Sequence, residues 1–286
     1  MANNINDAIQ FFAEYNIKYP EYEVITPQRK QSFTLRTLTA AEEEVLKGSI
    51  LTPIEITQHL ADVLWDCIIK KPDDIKTFDD FINKVTLRDR DCLVYGLFNA
   101  TYKDTQSFIV TCSNPECQYK NKIKIDMEKG FNYQLWDKEI DCIDTKVNIP
   151  LEILKGVTCV LKVPVIADEI KLSKETLNVS SEDSQLMTDL LMIDHFKLPG
   201  SKNTSEKKES ESETEDDNSK NLITERDKIL EAYRALPSYD RKLINQKYYE
   251  EFDKYRISVK AEFTCRCGNK QEVRIDATRQ FFQSLF

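Results

Sequence analysis

Apolar side chains recur at helical spacing near the start of the chain. Ile5, Ile9, Phe11, Phe12 and Tyr15 follow that spacing and predict a short amphipathic helix over 5–16. A stretch rich in Tyr and Pro follows (Tyr19, Pro20, Tyr22, Pro27). It reads as an extended arm needing a partner surface, so that residues 1–30 would dock on a neighbour. Polar and apolar positions then alternate through Ser32-Phe33-Thr34-Leu35-Arg36-Thr37-Leu38, the period-two signature of a half-buried strand. Thr39-Ala40-Ala41-Glu42 is a capping box, in which the hydroxyl takes an N–H of the first turn while the Glu carboxylate returns to the N–H of the cap. Thr52-Pro53-Ile54-Glu55 places Pro at the first helical position and opens a helix to about Ile69, with Leu60, Val63, Leu64 and Cys67 inward. Helices are also predicted over 78–85 and 87–101. The second is capped by Thr86 and carries Cys92, Leu93, Gly96 and Leu97 on one stripe.

After residue 104 the pattern shifts. Residues 105–126 and 256–276 read as two β-hairpins. Between them the pattern predicts strands over 146–151 and 157–163 and helices over 167–177, 181–195, 223–236 and 239–255. From Ser201 to Lys220 there are four Lys, seven acidic residues and no large apolar side chain. Such a stretch buries too little to offset its ordering entropy, so 199–221 is expected to be a disordered acidic loop.

Composition narrows the class. With 41% hydrophobic and 10% aromatic residues in 286, the chain has material for a core in one elaborated domain or two modest ones. Forty basic against 49 acidic residues leave a net charge of -9, which opposes binding nucleic acid by counterion release. Six glycines form no phosphate-binding loop motif. No apolar run approaches the roughly 18 residues of a membrane helix. The opening residues lack the basic and apolar regions of a secretory signal, so a soluble protein of a reducing cytosol is expected. His59 and His195, the only histidines, both fall in helical patterns, and this scarcity points away from general-base catalysis.

The chemistry lies in the cysteines. Four of the eight form two pairs, Cys112/Cys117 and Cys265/Cys267. Aligned on the second cysteine of each pair, the flanks match without a gap. Lys124-Ile125-Asp126 meets Arg274-Ile275-Asp276, Phe131 meets Phe281, and Thr111 and Thr264 each precede the first cysteine. This is an internal repeat of strand, cysteine turn, strand and polar turn. Two cysteine turns facing each other would offer four thiolates, a closed tetrahedral site for zinc with no position left for water or substrate. Such a metal is structural, and it would clamp loops separated by 147 residues. Iron suits four thiolates as well. Intervals of four and one residues depart from the common two-residue spacing, which keeps reduced, unmetallated turn cysteines as an alternative. A disulfide is disfavoured in a reducing compartment. Cys67, Cys92, Cys142 and Cys159 lie in apolar patterns and read as small core residues.

Other groups read blandly. Arg88-Asp89-Arg90-Asp91 and Glu42-Glu43-Glu44 place acids at helix starts, where they suit the dipole. Tyr248, Tyr249, Phe252 and Tyr255 read as a packing face on a charged helix.

One order of motifs is more specific: the strand Phe33–Leu38 entering the capped helix at Thr39–Glu44, then Thr86-Leu87-Arg88-Asp89-Arg90-Asp91 leading into Leu93-Val94-Tyr95-Gly96-Leu97, then Tyr102 and a cysteine hairpin. It resembles the baseplate hub proteins of T-even-type contractile-tailed bacteriophages, mainly over 30–130, with the terminal cysteine hairpin as a second anchor. The resemblance implies a non-enzymatic virion protein of the tail baseplate, present in the host cytoplasm during assembly, working beside hub, wedge or tail-tube subunits in several copies.

The resulting expectation is an α+β protein with no catalytic residues. Its segments are a helix and docking arm (1–30), a strand and helices (31–104), a first hairpin (105–131) and inserted strands and helices (132–198). The acidic loop (199–221), a helical pair (222–255) and a second hairpin with a terminal helix (256–286) complete it. The two hairpins form a split four-cysteine zinc ribbon with Cys112, Cys117, Cys265 and Cys267 as ligands. The alternative is a zinc-ribbon nucleic-acid or transcription-associated module, for which Lys120, Lys122, Lys124, Lys260, Arg266, Lys270 and Arg274 on the hairpins would speak. A hydrolase would need a triad or an open metal position, and neither pattern occurs.

Overall fold

The computed structural model describes residues 18–47, 53–102, 106–175, 186, 190–199 and 221–275. In chain order its elements begin with β1 (Glu21–Ile25), β2 (Ser32–Arg36), α1 (Ala40–Lys47), α2 (Pro53–Cys67), β3 (Ile68–Lys70), α3 (Phe78–Lys84) and α4 (Leu87–Thr101). Next come β4 (Gln106–Thr111), β5 (Lys120–Ile125), α5 (Met127–Gly130) and β6 (Phe131–Asn132). Then follow β7 (Val147–Pro150), β8 (Thr158–Leu161), α6 (Ile166–Glu175), β9 (Ile193–Lys197) and β10 (Leu222–Ile223). The last are α7 (Arg226–Ala235), α8 (Ser238–Glu251), β11 (Ser258–Thr264) and β12 (Lys270–Ile275). The mixture of helices and antiparallel sheets is α+β. Two compact units result, one made of the chain up to Asp137 together with everything from Tyr255, the other of Lys138–Lys254.

In the first unit β1, β2 and β3 form an antiparallel sheet with β2 central. Phe33 and Leu35 of β2 are buried, as the alternation predicts, and α4 lies against β1 and β2. Every residue of α4 from Cys92 to Ala100 is buried, so the helix packs on nearly all sides. Gly96 lets it approach the sheet, because a Cβ there would stand 2.8 Å from a Val24 methyl and 3.0 Å from one of Leu35. The Thr86 hydroxyl accepts the Asp89 N–H at 3.0 Å and starts the helix. The Thr39–Glu42 box also forms, and Glu42 gains a second role. It sits 1% exposed, in a bidentate pair with buried Arg36, whose other hydrogen bonds go to the carbonyls of Thr37 and Asp66. Burial would raise the Glu42 pKa, but the hydrogen bonds from Arg36 and Thr39 outweigh it and leave the carboxyl lowered.

Several expectations need correction. Residues 18–30, expected in an extended docking arm, include β1, which completes this chain's own sheet by pairing with β2 in the register Tyr22↔Leu35 and Val24↔Phe33. The turn after β1 is anchored by Asp89, which accepts the N–H groups of Gln28 at 2.8 Å and Arg29 at 3.1 Å. The helix expected to reach Ile69 stops at Cys67, where Ile68 pairs with Leu35 and the chain turns into β3. His195, expected on a helix, lies in β9 opposite Val160. A register shift at Val160/Leu161 breaks the clean alternation of that strand, so its sequence does not announce a strand. Ile223, expected in a helix, lies in β10 against Phe196. The expected helix over 5–16, the acidic stretch Ser201–Lys220, Phe281 and the terminal helix lie outside the described residues.

The second unit is a four-stranded antiparallel sheet in the order β10-β9-β8-β7, with α6, α7 and α8. Its core includes Ile149, Cys159, Leu161, Ile170, Phe196, Ile229, Tyr233 and Ile244. Asp240 at the start of α8 is fully buried and accepts three successive N–H groups, from Glu152, Ile153 and Leu154 at 3.0–3.2 Å. This second unit is an insertion in the chain of the first. The first unit ends at Asp137 and resumes at Tyr255, and the Tyr255 hydroxyl donates to the Asp137 carboxylate. The Trp136 ring lies 4.9 Å from the Tyr255 ring, and the Trp136 N–H is held by the Pro27 carbonyl at 2.8 Å.

Candidate metal centre

β4 and β5 form one antiparallel hairpin, and β11 and β12 form the other. The repeat read in the sequence is also a repeat of register. Thr111 pairs with Lys120 and Gln106 with Ile125 in the first hairpin, while Thr264 pairs with Lys270 and Val259 with Ile275 in the second. The turns correspond in detail. The Cys112 N–H bonds the Tyr119 carbonyl at 2.9 Å, and the Cys265 N–H bonds the equivalent Asn269 carbonyl at 2.9 Å. Each turn leaves through a left-handed residue, Gln118 at φ 44° and Gly268 at φ 85°, which reverses the chain straight after the second cysteine.

The four sulfurs meet. Cys112, Cys117, Cys265 and Cys267 place their Sγ atoms within 4.8 Å of one another. Cys112 lies 3.7 Å from Cys267, and Cys117 lies 3.9 Å from Cys265. Each close pair joins the first cysteine of one hairpin to the second cysteine of the other, as a local two-fold through the cluster would require. All four thiols are free, since a disulfide would hold its sulfurs at about 2.05 Å. A tetrahedron with metal–sulfur bonds of about 2.3 Å has edges of about 3.8 Å. The two cross-hairpin distances match that edge, and the all-sulfur donor set suits zinc or iron. Cys112 and Cys265 are buried and Cys267 is exposed, so the cluster sits under the surface with one open side. The Cys265 thiol is lowered to about 6, foremost by the backbone N–H of Cys267, with the Asn121 amide and the neighbouring thiols adding to it. A thiol held this low is a thiolate at neutral pH, the form that ligates metal.

The hairpin strands bury few of their residues. Of β5 only Ile125 is buried, of β11 only Val259, and of β12 no residue. By contrast Cys67, Cys92, Cys142 and Cys159 are all fully buried, and burial pushes the Cys67, Cys92 and Cys159 thiols up.

The remaining candidates separate by environment. Arg88 and Arg90 pair with Asp91, each at 3.0 Å. Asp89, read in the sequence only as a dipole complement, is the buried anchor of the Gln28–Arg29 turn. Burial raises its carboxyl to about 7 against the pull of those two N–H groups. His59 is half-buried on α2, and the His195 ring lies 2.9 Å from Asp194. Of the aromatics expected to form a packing face, Phe252 and Tyr255 are buried, whereas Tyr249 is exposed. Lys120, Lys122 and Lys124 are exposed at alternate positions of β5, with the exposed Ile109 opposite Lys122.

A family model described as T4 bacteriophage base plate protein matches residues 19–283. The match takes in both units and all four clustered cysteines. The chain belongs to the T4 bacteriophage base plate protein family. No curated protein and no solved structure matches it. Membership makes it a structural protein of the phage tail baseplate, supports a non-enzymatic role among other tail proteins and locates it in the virion. No helix among the described residues is long and apolar enough to cross a membrane. In this baseplate protein the motifs at 33–44 and 86–97, which carry the resemblance, are the sheet and helix that build the first unit's core.

Proposed function

We propose that this baseplate protein is a hub component or hub assembly factor whose Cys112, Cys117, Cys265 and Cys267 hold a structural zinc. The two hairpins would then form a split zinc ribbon that fastens the chain on both sides of its large insertion. The observation that carries the metal reading is the meeting of four thiols from two hairpins at 3.7 and 3.9 Å across the gap, where apolar burial is sparse. Structural zinc contributes on the order of 10 kcal/mol in zinc-finger peptides, which exceeds the net stability of many domains. With all four positions taken by sulfur the metal has no place for substrate, which leaves association with hub, wedge or tail-tube subunits as the task. Metal analysis of the purified chain is expected to give one zinc per chain, and none for Cys265→Ser/Cys267→Ser. A metal-free wild type that is fully folded would remove the reading. Mass spectrometry of purified virions separates a hub component, which stays in the particle, from an assembly factor, which does not.

A nucleic-acid role is the second reading, and the exposed Lys120, Lys122 and Lys124 are the observation in its favour. Arg266 does not add to them freely, since its guanidinium stacks 3.7 Å over the Tyr119 ring. Salt-sensitive retention on immobilised duplex DNA would support this second reading, and passage through the column at low salt would dismiss it.

A further inference from the structure

Two asparagines bracket the sulfur cluster. The Asn121 amide on β5 lies 3.4 Å from the Cys265 sulfur of the other hairpin. The Asn269 amide, in the turn of the second hairpin, lies 3.6 Å from the Cys112 sulfur of the first. Both contacts cross from one hairpin to the other, and both reach the first cysteine of its pair. Each asparagine is also fixed from behind. Asn121 donates to the Tyr119 carbonyl at 3.1 Å, and Asn269 donates to the Ser113 hydroxyl at 3.1 Å. Gln271, the repeat's counterpart of Asn121, crosses too: its carbonyl accepts the Ser113 N–H at 2.8 Å.

We propose that Asn121 and Asn269 are positioning residues of the metal centre, each donating an amide N–H to a thiolate of the opposite hairpin and so setting metal affinity and the electronic character of the metal–sulfur bonds. The inference rests on the metal reading above. Physically, four thiolates around a divalent ion leave a net double negative charge, and an N–H aimed at a sulfur draws off part of it. An amide suits this better than a lysine, because it donates without itself ionising and its planar group has fewer rotatable bonds to fix. The reciprocal placement gives the stabilisation to both hairpins, so neither docks without the other. Outer partners of metal ligands typically change affinity 10- to 100-fold.

The test uses the full-length chain loaded with cobalt(II) as a visible probe. Asn121→Asp and Asn269→Asp keep the side-chain shape while replacing the donor with an acceptor. Each is expected to weaken cobalt and zinc binding about tenfold or more and to move the sulfur-to-cobalt charge-transfer band to lower energy. Asn121→Gln, which copies the residue at the equivalent repeat position, is expected to restore part of both. Loss of affinity with an unmoved band would mean packing alone, and unchanged affinity and band in the double variant would overturn the proposal outright. Should the variants not fold, the wild type decides. Loaded with a spin-active cadmium isotope, it is expected to show scalar coupling from the metal to the Asn121 and Asn269 amide protons, and absence of both couplings overturns the assignment. A wild type that takes up neither cobalt nor cadmium would sink the metal reading itself, an outcome distinct from loss of the amide role alone.

Discussion

Within the first unit, the sheet β1-β2-β3 with α4 and the pair of hairpins solve the same problem by different physics. In the former, Phe33, Leu35, Leu93, Leu97 and Phe98 are all at most 1% exposed, and burial of apolar surface does the work. In the hairpins, strands rich in Lys, Glu and Gln bury almost nothing, and four sulfurs stand where a core would be. A hydrophobic core degrades gradually when trimmed, whereas a four-ligand centre fails as a unit. One region should therefore respond to side-chain volume and the other to chelators.

The largest expected effect tests the hairpin side. If the proposed zinc is bound, stripping it with a strong chelator, or Cys265→Ser/Cys267→Ser, should remove on the order of 10 kcal/mol of local stability. Hydrogen exchange should then show amides of β4, β5, β11 and β12 losing protection while those of β2 and α4 keep theirs. Equal loss in both regions would erase the contrast. Next, Glu42→Ala should cost about 3–5 kcal/mol in chemical denaturation, because it leaves buried Arg36 without its counter-charge. Asp89→Ala should cost about 3 kcal/mol by orphaning the N–H groups of Gln28 and Arg29.

Asp89 also gives a pH signature. Its folded pKa, raised to about 7, lies above the ordinary carboxylate value, so the native state holds this proton more tightly than the unfolded chain. Its favourable contribution is thus present at low pH and lost as pH rises through about 7. Asp89→Asn should flatten the stability profile between about pH 4 and 7 relative to wild type. The smallest effect is expected on the hairpin surface. Glu272→Gln breaks an exposed pair with Arg274 and should change stability by less than about 0.5 kcal/mol.

Much of this was legible beforehand where the signal is local. The Thr39 and Thr86 caps, the span of α4 and both hairpins follow from patterns a few residues long. The cysteine repeat was readable because its two copies keep the same register, so alignment on one residue aligns the rest. What escaped depends on distance. β1 carries Glu21 and Glu23 among its apolar residues and becomes a strand only because β2 lies beside it. The role of Asp89 needs a turn 60 residues away, and that of Asn121 needs Cys265, 144 residues on. No window of sequence contains either pair. Ile68–Lys70 illustrates the same limit, since a continuing helical pattern yielded to an open strand edge on β2.

The latch between Asp137 and Tyr255 brings the two ends of the intervening 117 residues within reach of a single hydrogen bond. A polypeptide can therefore leave and re-enter at that spot without stretching anything around it. Excising 138–254 in favour of a short glycine–serine bridge should leave a miniature that takes up the proposed zinc as the full chain does, which metal analysis of both would check. The same doorway would accept a foreign module.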